Sequence, residues 1–109
     1  MNCVRWSLCI GLLCCAGLLQ AQSGTQLLRR AKAETDPAQQ VRLLTQAVKK
    51  APNLAAAWHY RADAYLALGK HKQAVADYTR ALTLTPKDPF RYYARALAYM
   101  QEHKYSLAL

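Results

Sequence analysis

The chain has 109 residues and a net charge of +9, with fifteen Lys and Arg against six Asp and Glu. This length suits one small domain. All four cysteines lie within the first fifteen residues, which excludes a disulfide framework or a cysteine-based metal site from the rest of the chain. Apolar packing must therefore stabilise the folded part. The cysteines are Cys3, Cys9, Cys14 and Cys15.

The first residues have the three-part layout of a secretory signal. One positive charge, Arg5, precedes an uncharged apolar run from Ser7 to Leu19, and a short polar segment follows. At ~1.5 Å per residue, a helix of this run would be about 20 Å long, too short for a hydrocarbon core of ~30 Å. We therefore predict a signal peptide over residues 1–21, with cleavage after Ala21, and a folded domain over 22–109.

Two alternatives for this leading segment stay open. One is a short anchor that is not cleaved. The other is a lipid anchor, because Cys14 and Cys15 follow residues that loosely resemble a bacterial lipobox. In each case the folded part is exported, to the periplasm or cell envelope of a bacterium, or is secreted in another organism. Any membrane contact is expected only through the signal or such an anchor.

Helix signals follow one another along the remaining sequence. Asp36 and Asp88 each precede a proline and are expected to cap helices, and Asn53 is expected to cap the helix between them. Gly69 is expected to end that helix, since glycine tolerates the left-handed conformation. No segment shows the alternation of a strand. The predicted helices are about 23–34, 37–50, 54–68, 71–84 and 89–102, with a sixth starting near Lys104.

The sequence also repeats at a constant offset, the one that separates Pro52 from Pro86. A period of this size is typical of proteins built from stacked helical units. Similar residues recur at this offset in both helices of the predicted pairs. The coinciding positions include Val41 with Val75, Leu44 with Tyr78, Ala47 with Ala81, Pro52 with Pro86, and Trp58 with Tyr92.

The stretch AWHYRADAYLALG, residues 57–69, combines aromatic rings with alanines. Trp58, Ala62 and Tyr65 are spaced so that they share one helix face. Ala74 and Tyr78 share a face of the next helix. Alanines let two helix backbones approach closely while the rings fill the space beside them, which is what a helical hairpin stacked on its neighbour needs.

These residues resemble the tetratricopeptide repeat. The order Trp58-x2-Arg61-Ala62-x2-Tyr65, followed by Ala74-x3-Tyr78 and Pro86, is similar to the family pattern W-x2-L-G-x2-Y…A-x3-F…P. Arg61 and Ala62 stand where the family usually has Leu and Gly. The resemblance implies an all-α solenoid of antiparallel helix pairs with about two and a half repeats. The repeats would cover about 21–54, 55–88 and 89–109, the last one incomplete.

The incomplete last repeat raises two hypotheses about the open side of the fold. The sequence stops a few residues into the second helix of that repeat, so several apolar residues would be exposed to solvent. We favour a piece of a longer repeat protein. The alternative is a structural or self-associating subunit whose open C-terminal end is covered by another chain. The residues concerned are Leu97, Tyr99, Tyr105 and Leu107.

We expect no catalysis, cofactor or metal. His59 and Asp63 lie one helical turn apart and could form a general base with its carboxylate, but a surface ion pair is the favoured interpretation. His71 and His103 share no metal-ligand spacing. A nucleic-acid partner is not expected either, because the basic residues are scattered over the helices rather than clustered. The charge suits an acidic peptide or another polyanion, or simply a soluble surface.

The resemblance implies a protein-binding module whose concave face is lined by the first helix of each pair. Some family members grip a carboxylate with paired Asn and Lys, but Tyr60 and Asp63 stand where Asn would be wanted, so this mode is not expected. We therefore predict an exported scaffold that binds a peptide or partner protein. The residues expected on the concave face are Gln26, Arg29, His59, Tyr60, Asp63, Phe90, Tyr93, Ala94 and Leu97, with His59, Tyr60, Asp63, Phe90, Tyr93 and Leu97 as the binding residues.

Overall fold

The structure is a computed structural model that describes the backbone of residues 23–108 and the side chains of residues 23–104. This part of the chain contains five helices and no strand, which confirms the all-α prediction. The predicted signal peptide and the side chains of Tyr105 and Leu107 lie outside the described residues. The helices are α1 (23–33), α2 (Pro37–Lys50), α3 (Ala55–Ala67), α4 (His71–Leu84) and α5 (Pro89–Ala108).

Two of the three predicted N-terminal caps are confirmed. The Asp36 carboxylate accepts a hydrogen bond from the backbone N–H of Ala38 at 3.1 Å, and Asp88 accepts one from Phe90 at 3.0 Å. Each bond satisfies a backbone donor that the first turn of a helix would otherwise leave unpaired. The prediction for Asn53 is wrong. The chain is still in a turn there, and Leu54 occupies the cap position without a side-chain hydrogen bond.

Gly69 ends α3 as predicted. Its φ of 76° is left-handed, a conformation that costs glycine little. The N–H of Lys70 donates to the carbonyl of Tyr65 at 2.8 Å, and the N–H of Gly69 donates to the carbonyl of Leu66 at 3.0 Å. These two bonds form a Schellman motif, which turns the chain sharply into α4.

The end of α5 corrects the predicted boundaries. A break near residue 102 and a sixth helix from Lys104 were expected, but α5 continues from Pro89 to Ala108 without interruption. The physical reason is at His103, the position one repeat after Gly69. Histidine has a Cβ atom and therefore disfavours the left-handed conformation with which Gly69 ends α3, so the helix continues.

Two core clusters stabilise the stack, and each joins three consecutive helices. The first contains buried residues of α1, α2 and α3, and the second contains buried residues of α3, α4 and α5. Each helix pair thus buries one flank against the first helix of the next pair, which is how a solenoid is built. The first cluster is Leu27, Leu28, Ala31, Leu44, Ala47, Val48 and Ala57, and the second is Ala62, Ala74, Tyr78 and Ala98.

The repeat period also holds for individual polar contacts. Trp58 Nε1 donates a hydrogen bond to the carbonyl of Pro52 at 2.9 Å. One repeat later, the hydroxyl of Tyr92 donates to the carbonyl of Pro86 at 2.9 Å. In both repeats an aromatic side chain at the start of the first helix thereby fastens the turn that precedes it.

Candidate functional site

A cleft of about 440 Å³ lies between α1 and α3, with further side chains contributed by α2. The first helices of two successive pairs form its sides, so it lies on the face that the family resemblance predicts to be concave. Its lining combines small and apolar residues with one cation and one carboxylate. The lining residues are Ala31, Lys32, Gln40, Leu44, Tyr60, Asp63 and Ala64.

The two sides of the cleft are connected through Lys32 and Tyr60. The Lys32 ammonium of α1 lies 4.6 Å from the centroid of the Tyr60 ring of α3. The face of an aromatic ring attracts a cation, a contact worth about 0.5–1 kcal/mol at an exposed site. The contact holds a positive charge and an aromatic surface next to each other at the opening of the cleft.

Asp63 is held in the cleft by two neighbouring side chains. The buried Tyr78 of α4 donates its hydroxyl hydrogen bond to Asp63 Oδ1, and His59 Nε2 lies 3.5 Å from Asp63 Oδ2. Burial and the hydrogen bond to Asp63 raise the pKa of Tyr78 above its usual range, so this hydroxyl stays protonated and donates. The ring of His59 also packs against Tyr78, with centroids 5.3 Å apart.

The repeats differ at one buried position next to the cleft. Leu44 on α2 and Tyr78 on α4 are equivalent by the repeat period, and both are 1% exposed. Leu44 contributes to the lining of the cleft from the first core cluster, and the Tyr78 hydroxyl reaches Asp63.

The structure separates the six predicted binding residues into two groups. Tyr60 and Asp63 line the cleft, and His59 lies beside it in contact with both. The other three are on α5, outside the cleft: Phe90, Tyr93 and Leu97 are 79%, 66% and 38% exposed. Their binding roles stay predictions.

The remaining residues expected on the concave face do not line the cleft. Gln26 and Arg29 are exposed on α1. Ala94 packs against the second core cluster, so its side chain contributes to the stack.

Neither a metal cluster nor a membrane-spanning helix is found in the described part of the chain. Within residues 23–108, no three His, Cys, Asp or Glu side chains come together in a way that could hold a metal ion. None of the helices in the same range is long and apolar enough to cross a membrane. His59 and Asp63 form the i,i+4 pair that their spacing suggests, within the group that includes Tyr78.

A buried ion pair behind the cleft was missed by the sequence analysis. Arg61 binds Asp77 in a bidentate manner, with Nε to Oδ2 at 2.7 Å and Nη2 to Oδ1 at 2.8 Å. The side chains are only 15% and 7% exposed. The guanidinium also lies 5.0 Å from the Trp58 ring centroid and 3.3 Å from Thr45 Oγ1 on α2. The hydrogen bond that Arg61 donates to Asp77 raises the pKa of Arg61.

This pair connects α3 with α4, and the contact of Arg61 with Thr45 extends the connection to α2. A signal for it was present in the sequence. Asp77 directly precedes Tyr78 on the packing side of α4, where a carboxylate needs a partner. An arginine also recurs at positions 61 and 95.

Two family models match the chain. One, described as tetratricopeptide repeat, matches residues 43–76, and the other, described as TPR repeat, matches residues 62–102. Together they span 43–102, a little over half of the 109 residues.

The chain is also similar to a curated protein. It is 46% identical over 37 residues to Serine/threonine-protein phosphatase T of Trypanosoma brucei brucei. The match covers 34% of this chain and 8% of the relative, so the chain spans only a small part of that protein's length.

Proposed function

Because residues 43–102 are tetratricopeptide repeats folded as an all-α solenoid, we propose that this protein is a non-catalytic scaffold that binds a segment of another protein. Repeats of this class generally mediate binding to proteins or peptides, and solenoids offer extended concave surfaces for it. The observation that carries the proposal is the cleft between α1 and α3, where Lys32, Tyr60 and Asp63 meet.

The cleft favours a ligand with an acidic group next to an apolar one. Asp63 already accepts a hydrogen bond from Tyr78 and lies beside His59. Lys32, in contrast, is exposed and has the Tyr60 ring beside it. A carboxylate of the ligand would pair with Lys32 while an apolar side chain contacts the exposed ring of Tyr60. The chain that remains after cleavage has 14 Lys and Arg against six Asp and Glu, a net charge of +8, which would favour the approach of an acidic segment.

Export is part of the proposal. Its support is the layout of residues 1–21, with one basic residue, an apolar run and a small residue before the expected cleavage point. The scaffold would then act in the periplasm or cell envelope, or outside the cell if the organism is not bacterial. The N-terminal sequence of the native protein tests this directly. Gln22 is the expected first residue, and a full-length chain beginning at Met1 in the cytosolic fraction would contradict export.

Binding in the cleft can be tested by affinity capture from an extract of the native compartment. Tyr60→Ala removes the aromatic side of the cleft and Lys32→Ala removes its cation. Each variant is expected to recover at least about tenfold less of the captured protein, since losing a central contact of about 1.4 kcal/mol or more has that effect.

Lys87→Ala is the matched control for Lys32→Ala, because Lys87 is an exposed lysine between α4 and α5, away from the cleft. It is expected to capture as much as the unaltered protein. Full recovery with both cleft variants would refute the assignment of the cleft. Helix content from circular dichroism confirms that each variant is folded.

A further inference from the structure

One side of α1 is charged where the equivalent side of α3 is packed. By the repeat period, Ser23 and Arg30 on α1 are equivalent to Ala57 and Ala64 on α3. The two alanines are 0% and 2% exposed and face the preceding helix pair, since Ala57 belongs to the first core cluster and Ala64 lines the cleft beside α1. Arg30, in contrast, is exposed. By this equivalence, the side of α1 that is turned away from α3 carries a guanidinium in place of a buried methyl group.

Two further cations adjoin Arg30. Arg29 precedes it and is exposed. Lys50, at the end of α2, reaches the same side of α1, because its Nζ donates a hydrogen bond to Ser23 Oγ at 3.2 Å. Among the side chains of residues 23–104, no carboxylate lies within ion-pair distance of any of the three cations. We call the surface formed by Arg29, Arg30 and Lys50 the basic face of α1.

No acidic side chain of α1 offsets the charge of this face. The helix contains no Asp or Glu, and the acids that follow it, Glu34 and Asp36, accept hydrogen bonds from backbone N–H groups around the turn between α1 and α2. A further helix of the stack does not suit the face either, because burying the Arg30 guanidinium without an acid partner costs free energy. The chemistry of these residues therefore points to a partner rich in anions.

The distribution of exposed apolar groups narrows the class of partner. Among the described residues, the large apolar side chains that are exposed lie on α3, on α5 or at Leu68, and none lies on α1 or α2. A protein interface normally needs a central aromatic or apolar anchor, and single-stranded nucleic acid needs aromatic rings on which its bases stack. A layer of anionic lipid head groups needs neither, since it attracts Lys and Arg through charge.

We propose that the basic face of α1 binds the surface of a membrane that contains anionic phospholipids. The preceding sequence supports a bilayer as the partner, because the apolar run from Ser7 ends at Leu19, four residues before α1 begins. Each interpretation of this segment, as a cleaved signal, a short anchor or a lipid anchor, brings α1 to a bilayer. The contact would add to that of the signal or anchor. Lys32 of the cleft is not part of this face, so the inference goes beyond the proposed function.

Cosedimentation of the full chain with phospholipid vesicles tests this contact. One set of vesicles is phosphatidylcholine alone, and the other is an equal mixture of phosphatidylcholine and phosphatidylglycerol. Insertion of the apolar run would contribute to binding in both sets, so the ratio of the two partition coefficients isolates the effect of the anionic head groups. The partition coefficient for the anionic vesicles should also fall as the ionic strength rises.

Removing the three cations of the basic face should remove most of the preference for anionic vesicles. Each cation close to an anionic surface contributes about fivefold to binding, so three contribute about 100-fold. The triple variant Arg29→Gln, Arg30→Gln and Lys50→Gln is therefore expected to lower the ratio about 100-fold. Circular dichroism confirms that the variant keeps its helix content.

The matched control removes the same charge elsewhere. It is the triple variant Lys70→Gln, Lys72→Gln and Lys87→Gln, whose three lysines are exposed at the two ends of α4. Charges farther from the bilayer than the Debye length are largely screened, so this variant should lower the ratio less than about threefold.

Three results would overturn the proposal. A ratio near unity for the unaltered chain would mean that the protein does not prefer anionic lipid. Equal losses in the two triple variants would assign the binding to net charge instead of the basic face. Fluorescence anisotropy with a fluorescein-labelled oligoglutamate peptide covers the remaining class of partner. Binding of this peptide that the variant at Arg29, Arg30 and Lys50 loses, without a preference for anionic vesicles, would make an acidic polypeptide the partner.

Failure of membrane binding leaves the proposed function intact, because capture through the cleft depends on Lys32 and Tyr60.

Discussion

The ion pair between Arg61 and Asp77 allows the packing of three helices to be tested quantitatively. The substitution Asp77→Asn keeps the shape of the side chain and removes its charge. Arg61 then remains largely buried, with Thr45 and two aromatic rings but without its anion. We expect a clear loss of stability, because a buried cation that loses its partner keeps the cost of desolvation.

The magnitude follows from the burial of the pair. Exposed ion pairs contribute about 0–1 kcal/mol, whereas breaking a buried pair costs about 3–5 kcal/mol. The side chains here are 15% and 7% exposed, and both hydrogen bonds are short. We therefore expect Asp77→Asn to lower the free energy of unfolding by about 3 kcal/mol. For a small domain with a total of roughly 5–15 kcal/mol, this is a large fraction.

Urea unfolding followed by circular dichroism at the helix band measures this loss. A double-mutant cycle with Arg61→Leu and Asp77→Leu isolates the pair, and the double variant should be more stable than either single one, because no unpaired charge remains. Glu102→Gln near the end of α5 is the control, with an expected change below about 0.5 kcal/mol. A change below about 0.5 kcal/mol for Asp77→Asn, or additive effects in the cycle, would refute the reasoning.

Three further predictions concern single positions. Gly69→Ala should destabilise the protein by about 1–2 kcal/mol in urea unfolding, through its left-handed φ alone, because an added Cβ would meet no atom within 4 Å. The pKa of Tyr78 is higher in the folded protein than in the unfolded chain, so the stability that Tyr78 contributes is complete below about pH 10 and is lost as the pH rises further. Tyr78→Phe should reduce this loss of stability at alkaline pH. At pH 7 it should cost about 1 kcal/mol, because the hydrogen bond to Asp63 is lost. Lys32→Glu reverses the exposed cation of the cleft and should abolish capture of the partner, with a change in stability below about 0.5 kcal/mol because Lys32 is exposed; capture that continues unchanged would contradict the role of the cleft.

Much of the fold could be predicted from spacing because each repeat solves the same packing problem. The period aligned Trp58 with Tyr92, and both fasten the preceding turn by the same hydrogen bond to a proline carbonyl. Asp36 and Asp88 could be assigned because capping depends on neighbouring residues only.

The end of α5 shows that a helix boundary seen in one repeat does not always recur in the next. The turn at Gly69, shifted by one repeat, predicted a break in α5 near residue 102, but the helix is continuous there. His103 occupies the position equivalent to Gly69, but its Cβ atom disfavours the left-handed conformation that this kind of turn requires.

The candidate site depends on contacts between side chains that are far apart in sequence. Arg61 and Asp77 lie on different helices, and their bidentate geometry is set by the distance and rotation between α3 and α4. The cleft is lined by residues of α1, α2 and α3, and its volume depends on how closely these helices pack, which the sequence alone does not determine. Exposure on α5 likewise depends on whether another helix covers it, which the spacing of Phe90, Tyr93 and Leu97 does not determine.

Photo-crosslinking in living cells tests the central claim most directly. Benzoylphenylalanine would replace Tyr60 at the cleft and, in a control, the exposed Thr83 on α4. A covalent adduct with another protein at position 60 and none at position 83 is the predicted result. Equal adducts at both positions, or an adduct at position 83 alone, would contradict binding in the cleft.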